Sequence, residues 1–225
     1  PDGTFHDPGL ELKQMVRALH RAGIAVILDV VFNHVSTHDQ NPLIHLDPGT
    51  WLHREPDGTL RSHSGCGNDL NTSDPVMHKL VLDAVVHWMR EYRVDGFRLD
   101  LAAILDDRTL QAMLEAARAE YPFAILLSEP WSLFGYRPGG IAGLGHTVWN
   151  DRFRNGVKGK HPLTGRGFVF GSGDGGADPH ELAAMLVGWR RDRGGHFDDP
   201  QLSLNYLESH DNYTLGDFVR IALGE

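Results

Sequence analysis

VDGFRLDLA, residues 94–102, reads as a short buried strand that nonetheless carries Arg98 and Asp100 two positions apart. Side chains alternate faces along a strand, so positions i and i+2 share one. A cation and a carboxylate therefore lie together on one face of an otherwise apolar element. In isolation the pair fits a structural ion pair, a charged edge strand or a loop as readily as a site. Its flanks have to decide.

Upstream, Ser73 or Asp74 caps a helix with Pro75 in its first turn, and Met77, Leu80, Val81, Ala84, Val85, Trp88 and Met89 form its apolar stripe. Before that, residues 33–73 are polar, rich in Gly, Pro, His and Asp, and without period, as in a functional loop or a small inserted subdomain. Ile24–Phe32 (IAVILDVVF) is nearly all apolar and suits a parallel strand buried on both faces. It follows a helix over Glu11–Ala22, with Leu12, Met15, Val16 and Leu19 in register and Gly23 as a left-handed stop. Downstream come a helix over Thr109–Glu120, a strand at Phe123–Leu127 and a Gly-rich irregular segment over 132–177, within which Thr147–Trp149 fits a strand. A helix opens at Asp178-Pro179 and runs through Ala183, Leu186 and Trp189; a strand at Leu202–Leu207 and a helix at Thr214–Leu223 follow.

Alternating helices and strands of this kind predict an α/β fold with a parallel sheet. No Gly-rich phosphate loop follows the first strand, which argues against dinucleotide binding. An eight-stranded (β/α)8 TIM barrel fits better, with catalytic residues at the C-terminal ends of its strands. Five strands are legible, so the barrel is expected to be incomplete over residues 1–225, interrupted by the long insertion at 33–73.

Composition restricts the function classes. The 225 residues are 41% hydrophobic and 23% charged, as in ordinary globular proteins, and the net charge of −9 argues against nucleic acid or an anionic membrane as partner. Apolar runs such as Ile24–Leu28 are far too short to span a bilayer. Cys66 is the only cysteine, so no internal disulfide forms and the redox compartment stays open. The fourteen histidines show no zinc-site spacing.

Four strands end in polar residues that packing alone does not require: Asp29 and Asn33-His34, Arg98 and Asp100, Glu129, and His210-Asp211. On successive parallel strands these would open onto one barrel mouth. Several carboxylates around one pocket suit hydrolysis at an acetal centre, where a retaining glycosidase needs a nucleophile and an acid about 5 Å apart. Asp100 is the better nucleophile, because Arg98 would keep it ionised and aimed. Glu129, after an apolar strand and beside Pro130 and Trp131, would keep its proton and act as the acid. Asp211 and His210 would hold ring hydroxyls. Trp131, Trp149 and Tyr213 are equally readable as sugar-stacking aromatics or as ordinary core and rim residues.

DVVFNH (Asp29–His34), GFRLD (Gly96–Asp100), SEPW (Ser128–Trp131) and ESHDN (Glu208–Asn212) resemble, in order, the four signature regions of the α-amylase superfamily, glycoside hydrolase family 13. The GFRLDLA, EPW and SLNYLESHDNYTL forms, with PDGTFHDP near the start and WNDRFRNGVKG at Trp149–Gly159, are similar to debranching enzymes of the pullulanase, isoamylase and glycogen-debranching type. The resemblance implies a retaining hydrolase of α-1,6 branch linkages in α-glucans such as glycogen, starch or pullulan. It implies Asp100 as nucleophile, Glu129 as acid/base and Asp211 as transition-state stabiliser, with Arg98, His34 and His210 on the central sugar and Asp29 supporting them. Trp131 joins the substrate-binding set. No cofactor is required. Asn33 matches a calcium-binding position of many α-amylases, and calcium stays possible, with Asp39, Asp47, Asp57 and Asp69 as further oxygen donors in the insertion.

The alternatives are α-1,4 hydrolysis or glucan-chain transfer at the same site, or a non-catalytic glucan-binding homologue, which the three retained carboxylates disfavour. The strands resemble the third to the seventh of such a barrel, and both ends of the sequence look cut. An arc of five strands with two open edges is expected to be poorly stable and weakly active by itself. The compartment is undetermined, with the cytoplasm slightly favoured.

Overall fold

Asp7 sets the start of the first helix, α1 (Pro8–Arg21): its carboxylate accepts the Leu10 N–H at 3.1 Å, and Pro8 occupies the first turn. Gly23, at φ 75°, ends it as expected. This computed structural model describes residues 7–36, 41–47, 49–171 and 177–225, which form two units, Pro1–Arg137 and Pro138–Glu225.

In the first unit α1 leads to β1 (Ile27–Val30), α2 (Pro75–Tyr92) to β2 (Gly96–Leu99), and α3 (Asp107–Glu120) to β3 (Ile125–Ser128). Asp74 and Asp106 cap α2 and α3 by accepting the N–H groups of Val76 and Thr109. The three strands are parallel with β2 in the middle, Asp29 opposite Arg98 and Arg98 opposite Leu127. Most of the expected stripes are buried, with Met77, Val81, Val85 and Met89 of α2 and Leu110, Met113, Leu114 and Ala117 of α3 in the core, but Leu80, expected in the stripe of α2, is 42% exposed. Gly96 is obligatory, because a Cβ there would lie 1.9 Å from the Ile125 carbonyl oxygen across the sheet.

Two expectations for this unit change. Ile24–Phe32 is not a strand buried on both faces: β1 has four residues, and Ile24 and Val31 beside it are about half exposed. Among the described residues β1 is the outer strand of this sheet, whereas a continuous apolar run suits a central one. Nor is 33–73 a bare loop. His34–Val35 pairs antiparallel with Asn68–Asp69, Pro42–Leu46 is helical, and Leu52 bridges to Leu70, both buried, as a small core of its own. Asp39 and residues 1–6 of PDGTFHDP lie outside the described residues.

In the second unit β4 (Thr147–Asn150) pairs in parallel with β5 (Ser203–Asn205). Between them lie α4 (Asp151–Val157), a hairpin of Gly159–His161 with Gly165–Arg166, and α5 (Pro179–Leu186); α6 (Leu215–Leu223) follows. Asn150, Asp178 and Thr214 cap the three helices. The helix expected to reach Trp189 stops at Leu186, because Gly188 and Trp189 both adopt positive φ. The strand expected over Leu202–Leu207 keeps only three residues, so His210 and Asp211 stand in a loop well past its end. The architecture is α/β with parallel strands in each unit. A closed barrel is not present among the described residues.

Candidate active site

Arg98 organises the first unit's polar residues. It projects from the fully buried β2 and is itself 7% exposed. Its Nη1 donates to Asp29 Oδ1 at 2.8 Å and to Asp100 Oδ1 at 2.9 Å, and its Nη2 donates to Glu129 Oε1. The three carboxylates come from the ends of β1, β2 and β3. Register is why they converge: Asp29 sits opposite Arg98, the Asp100 N–H donates to the Val30 carbonyl, and the Glu129 N–H to that of Leu99. Burial works against the guanidinium charge, but Glu129, Asp29 and Asp100 outweigh it and hold Arg98 above its ordinary pKa.

Glu129 corrects an expectation. It is 4% exposed, yet its surroundings are not simply apolar: Oε1 accepts from Arg98, and Oε2 accepts the Leu101 N–H at 3.0 Å. Both oxygens act as acceptors in these two bonds. Three carboxylates thus share one guanidinium.

Asn33 is fully buried and works as a latch. Its Nδ2 donates to the Asp100 carbonyl and, at 3.1 Å, to that of Leu101, while its Oδ1 accepts from His34 Nδ1 at 2.7 Å. His34 Nε2 faces Cys66 Sγ at 3.6 Å. Among the described residues the calcium donors suggested by the sequence are engaged in other bonds. Asn33 Oδ1 is used by His34, Asp47 holds Gly49 and Thr50, Asp57 holds Thr59, and Asp69 holds His63. Among the described residues no group of three or more His, Cys, Asp or Glu is placed to hold a metal ion.

Trp131 opens a short hairpin two residues past Glu129 and pairs with Tyr136. Sequence reasoning missed the partners of this region: Leu101, whose φ of 37° aims its N–H at Glu129, and Cys66 beside His34. Only the irregular spacing after GFRLD hinted at the first, and nothing hinted at the second.

In the second unit His210 and Asp211 are exposed, with His210 Nε2 3.8 Å from Asp211 Oδ1. Asp211 lines a cavity of about 240 Å³ with Arg154, Lys158, Glu208 and Tyr213. Glu208 Oε2 accepts the Leu215 N–H at 2.7 Å, tying the loop to the start of α6. Burial, then Arg154, push the Lys158 ammonium below its ordinary pKa, against the pull of Glu208. Trp149 packs edge-on against Tyr206, 4.6 Å between centroids, as a core aromatic would.

No protein-family model matches the sequence. The pullulanase of Bacillus subtilis (strain 168) is 36% identical over 241 residues, an alignment covering 99% of this chain and 33% of that protein. The chain is a homologue of α-amylase-superfamily debranching enzymes. The Haemophilus influenzae glycogen operon protein GlgX homolog is 35% identical, with 95% of this chain and 33% of that protein covered. The crystal structure of Bacillus subtilis pullulanase type I complexed with maltose superposes with a TM-score of 0.87, over 99% of this chain and 33% of that one. A Paenibacillus barengoltzii pullulanase complexed with maltohexaose and α-cyclodextrin gives 0.88 at 29% identity, covering 96% and 35%. The chain thus spans about a third of the length of the relatives it matches. No described helix is long and apolar enough to cross a membrane.

Proposed function

We infer that the protein carrying this chain is a retaining glycoside hydrolase that cleaves α-1,6 branch linkages in α-glucans. The observation that carries the reading is the shared guanidinium. Asp100 and Glu129 bond to neighbouring nitrogens of Arg98, which supports reading them as the two carboxyl groups, about 5 Å apart, of a retaining pair. Asp100 attacks the anomeric carbon while the Glu129 carboxyl gives its proton to the departing glycosidic oxygen. Water, deprotonated by Glu129, then hydrolyses the glycosyl ester and restores both groups.

Asp211 stabilises the charge that develops on the sugar. His34, His210 and Arg98 contact its hydroxyls, Asp29 supports that subsite, and Trp131 stacks on the sugar. The maltose and maltohexaose named for the related pullulanase structures support an α-glucan as substrate.

The test uses the intact protein, in chelator, on pullulan and on an α-maltosyl fluoride, whose leaving group needs no proton. Glu129→Gln is expected to lose about 100- to 10,000-fold on pullulan and far less on the fluoride, whereas Asp100→Asn loses both. Residual turnover by Asp100→Asn, or equal losses for Glu129→Gln, would reject the roles. Products from linear glucan alone would reject the linkage.

A further inference from the structure

Lys158 is 6% exposed, yet among the described residues no hydrogen bond or ion pair reaches its ammonium. The backbone fixes its place. The Lys158 N–H donates to the Arg154 carbonyl at 3.0 Å and closes α4, and its carbonyl accepts the Gly167 N–H at 3.0 Å. From there the side chain brings Nζ to 4.0 Å from the centroid of the Phe218 ring in α6. Phe218 is fully buried, and its ring meets that of Tyr213 edge-on with centroids 6.4 Å apart. Lys158 also lines the cavity of about 240 Å³ beside Asp211. The cations around that cavity are Arg154, Lys158 and Lys160, and the acids are Asp151, Glu208 and Asp211. Arg154 is engaged elsewhere, lying over the Tyr206 ring 5.3 Å from its centroid and donating to Asn155 Oδ1 at 3.1 Å. Lys160 is exposed. Of the three cations only Lys158 is buried, and Glu208 is the acid whose charge acts on it.

Stability does not account for that placement. A buried ammonium without a hydrogen-bonded partner costs free energy, and a methionine of similar length would fill the same space without that cost. A local rule broken in this way is characteristic of functional regions. We propose that Lys158 is a positioning residue for Asp211, acting as the counter-ion of Glu208 and through it fixing the loop between β5 and α6. The proposal rests on Asp211 being the transition-state stabiliser. Glu208 holds the start of α6 by accepting the Leu215 N–H at 2.7 Å. A cation with little water around it attracts a carboxylate more strongly than an exposed one does. Lys158 therefore holds the Glu208 end of the loop by charge, and through Phe218 it meets the ring of Tyr213 at the other end. Asp211 lies between those two ends in the chain. Its distance from a bound sugar is set by both, and the stabilisation it gives a developing charge depends on that distance.

The experiment measures kcat and KM on pullulan, the denaturant midpoint and hydrogen exchange at the Leu215 amide, all in the intact protein. Lys158→Met keeps the stem against Phe218 and removes the charge. Its kcat is expected to fall by about 10- to 100-fold with KM nearly unchanged, the Leu215 amide to exchange faster, and the midpoint to stay level or rise. Lys158→Arg restores the charge and should recover most of the kcat. Glu208→Gln keeps an acceptor for the Leu215 N–H and removes only the partner charge, so the double variant Lys158→Met with Glu208→Gln should lose no more than the worse single one. Losses that multiply in the double variant would overturn the proposal. So would a lower midpoint that Lys158→Arg fails to restore, which is the behaviour of a core residue. Full turnover by Lys158→Met beside an inactive Asp211→Asn rejects the role of Lys158 alone. Full turnover by Asp211→Asn rejects the stabiliser itself, and the positioning role with it.

Discussion

Arg98 in the first unit and Asp211 in the second hold their surroundings in opposite ways. Arg98 is buried, and both of its terminal nitrogens bond to carboxylates from the ends of three adjacent parallel strands. Asp211 is exposed, six residues past β5, in a loop held chiefly by Glu208 at the start of α6. A strand end inherits its position from the sheet, whose hydrogen bonds resist displacement. A loop residue inherits its position from a few local bonds. The proposed nucleophile and acid are therefore preorganised by the fold, and the proposed stabiliser is adjustable.

Removing the organiser should break that contrast most severely. Arg98→Met leaves three carboxylates around a neutral side chain, and we expect a loss of about 3–5 kcal/mol in unfolding free energy, read as a lower denaturant midpoint, together with loss of turnover. A wild-type midpoint would mean that the carboxylates are held by something else. Asn33→Ala should cost about 1–3 kcal/mol, because the Asp100 and Leu101 carbonyls lose their shared donor; its kcat should fall with little change in KM, and an unchanged kcat would show the latch to be merely structural. Glu208→Ala should be mildest in stability, within about 1 kcal/mol. Hydrogen exchange at the Leu215 amide should accelerate while the amides of β2 stay protected. Faster exchange in both places would erase the distinction between a sheet-held and a loop-held group.

The helices of both units were largely legible, because capping aspartates before proline and apolar residues at helical spacing are local signals that Asp74-Pro75 and Asp178-Pro179 display openly. Helix ends were less so: Gly188 and Trp189 ended α5 early through backbone conformation that hydrophobic spacing does not report. The run Ile24–Phe32 overstated its strand, because apolarity does not say whether a strand is central or at an edge. Within the insertion, pairing between His34–Val35 and Asn68–Asp69 joins residues more than thirty positions apart, beyond any local pattern.

The same division runs through the candidate site. Sequence alone determined the residues concerned, since Arg98 and Asp100 at i and i+2 must share a face of a strand, and the polar endings at Asp29, Glu129 and Asp211 stand out against the apolar elements before them. Only tertiary structure decided how the charges are divided. Parallel register places Asp29 opposite Arg98 and brings Glu129 within its reach, so the cation expected to serve Asp100 serves three carboxylates. Electrostatic partnership depends on distance in space, and distance across a sheet is set by pairing between segments that the chain itself keeps far apart.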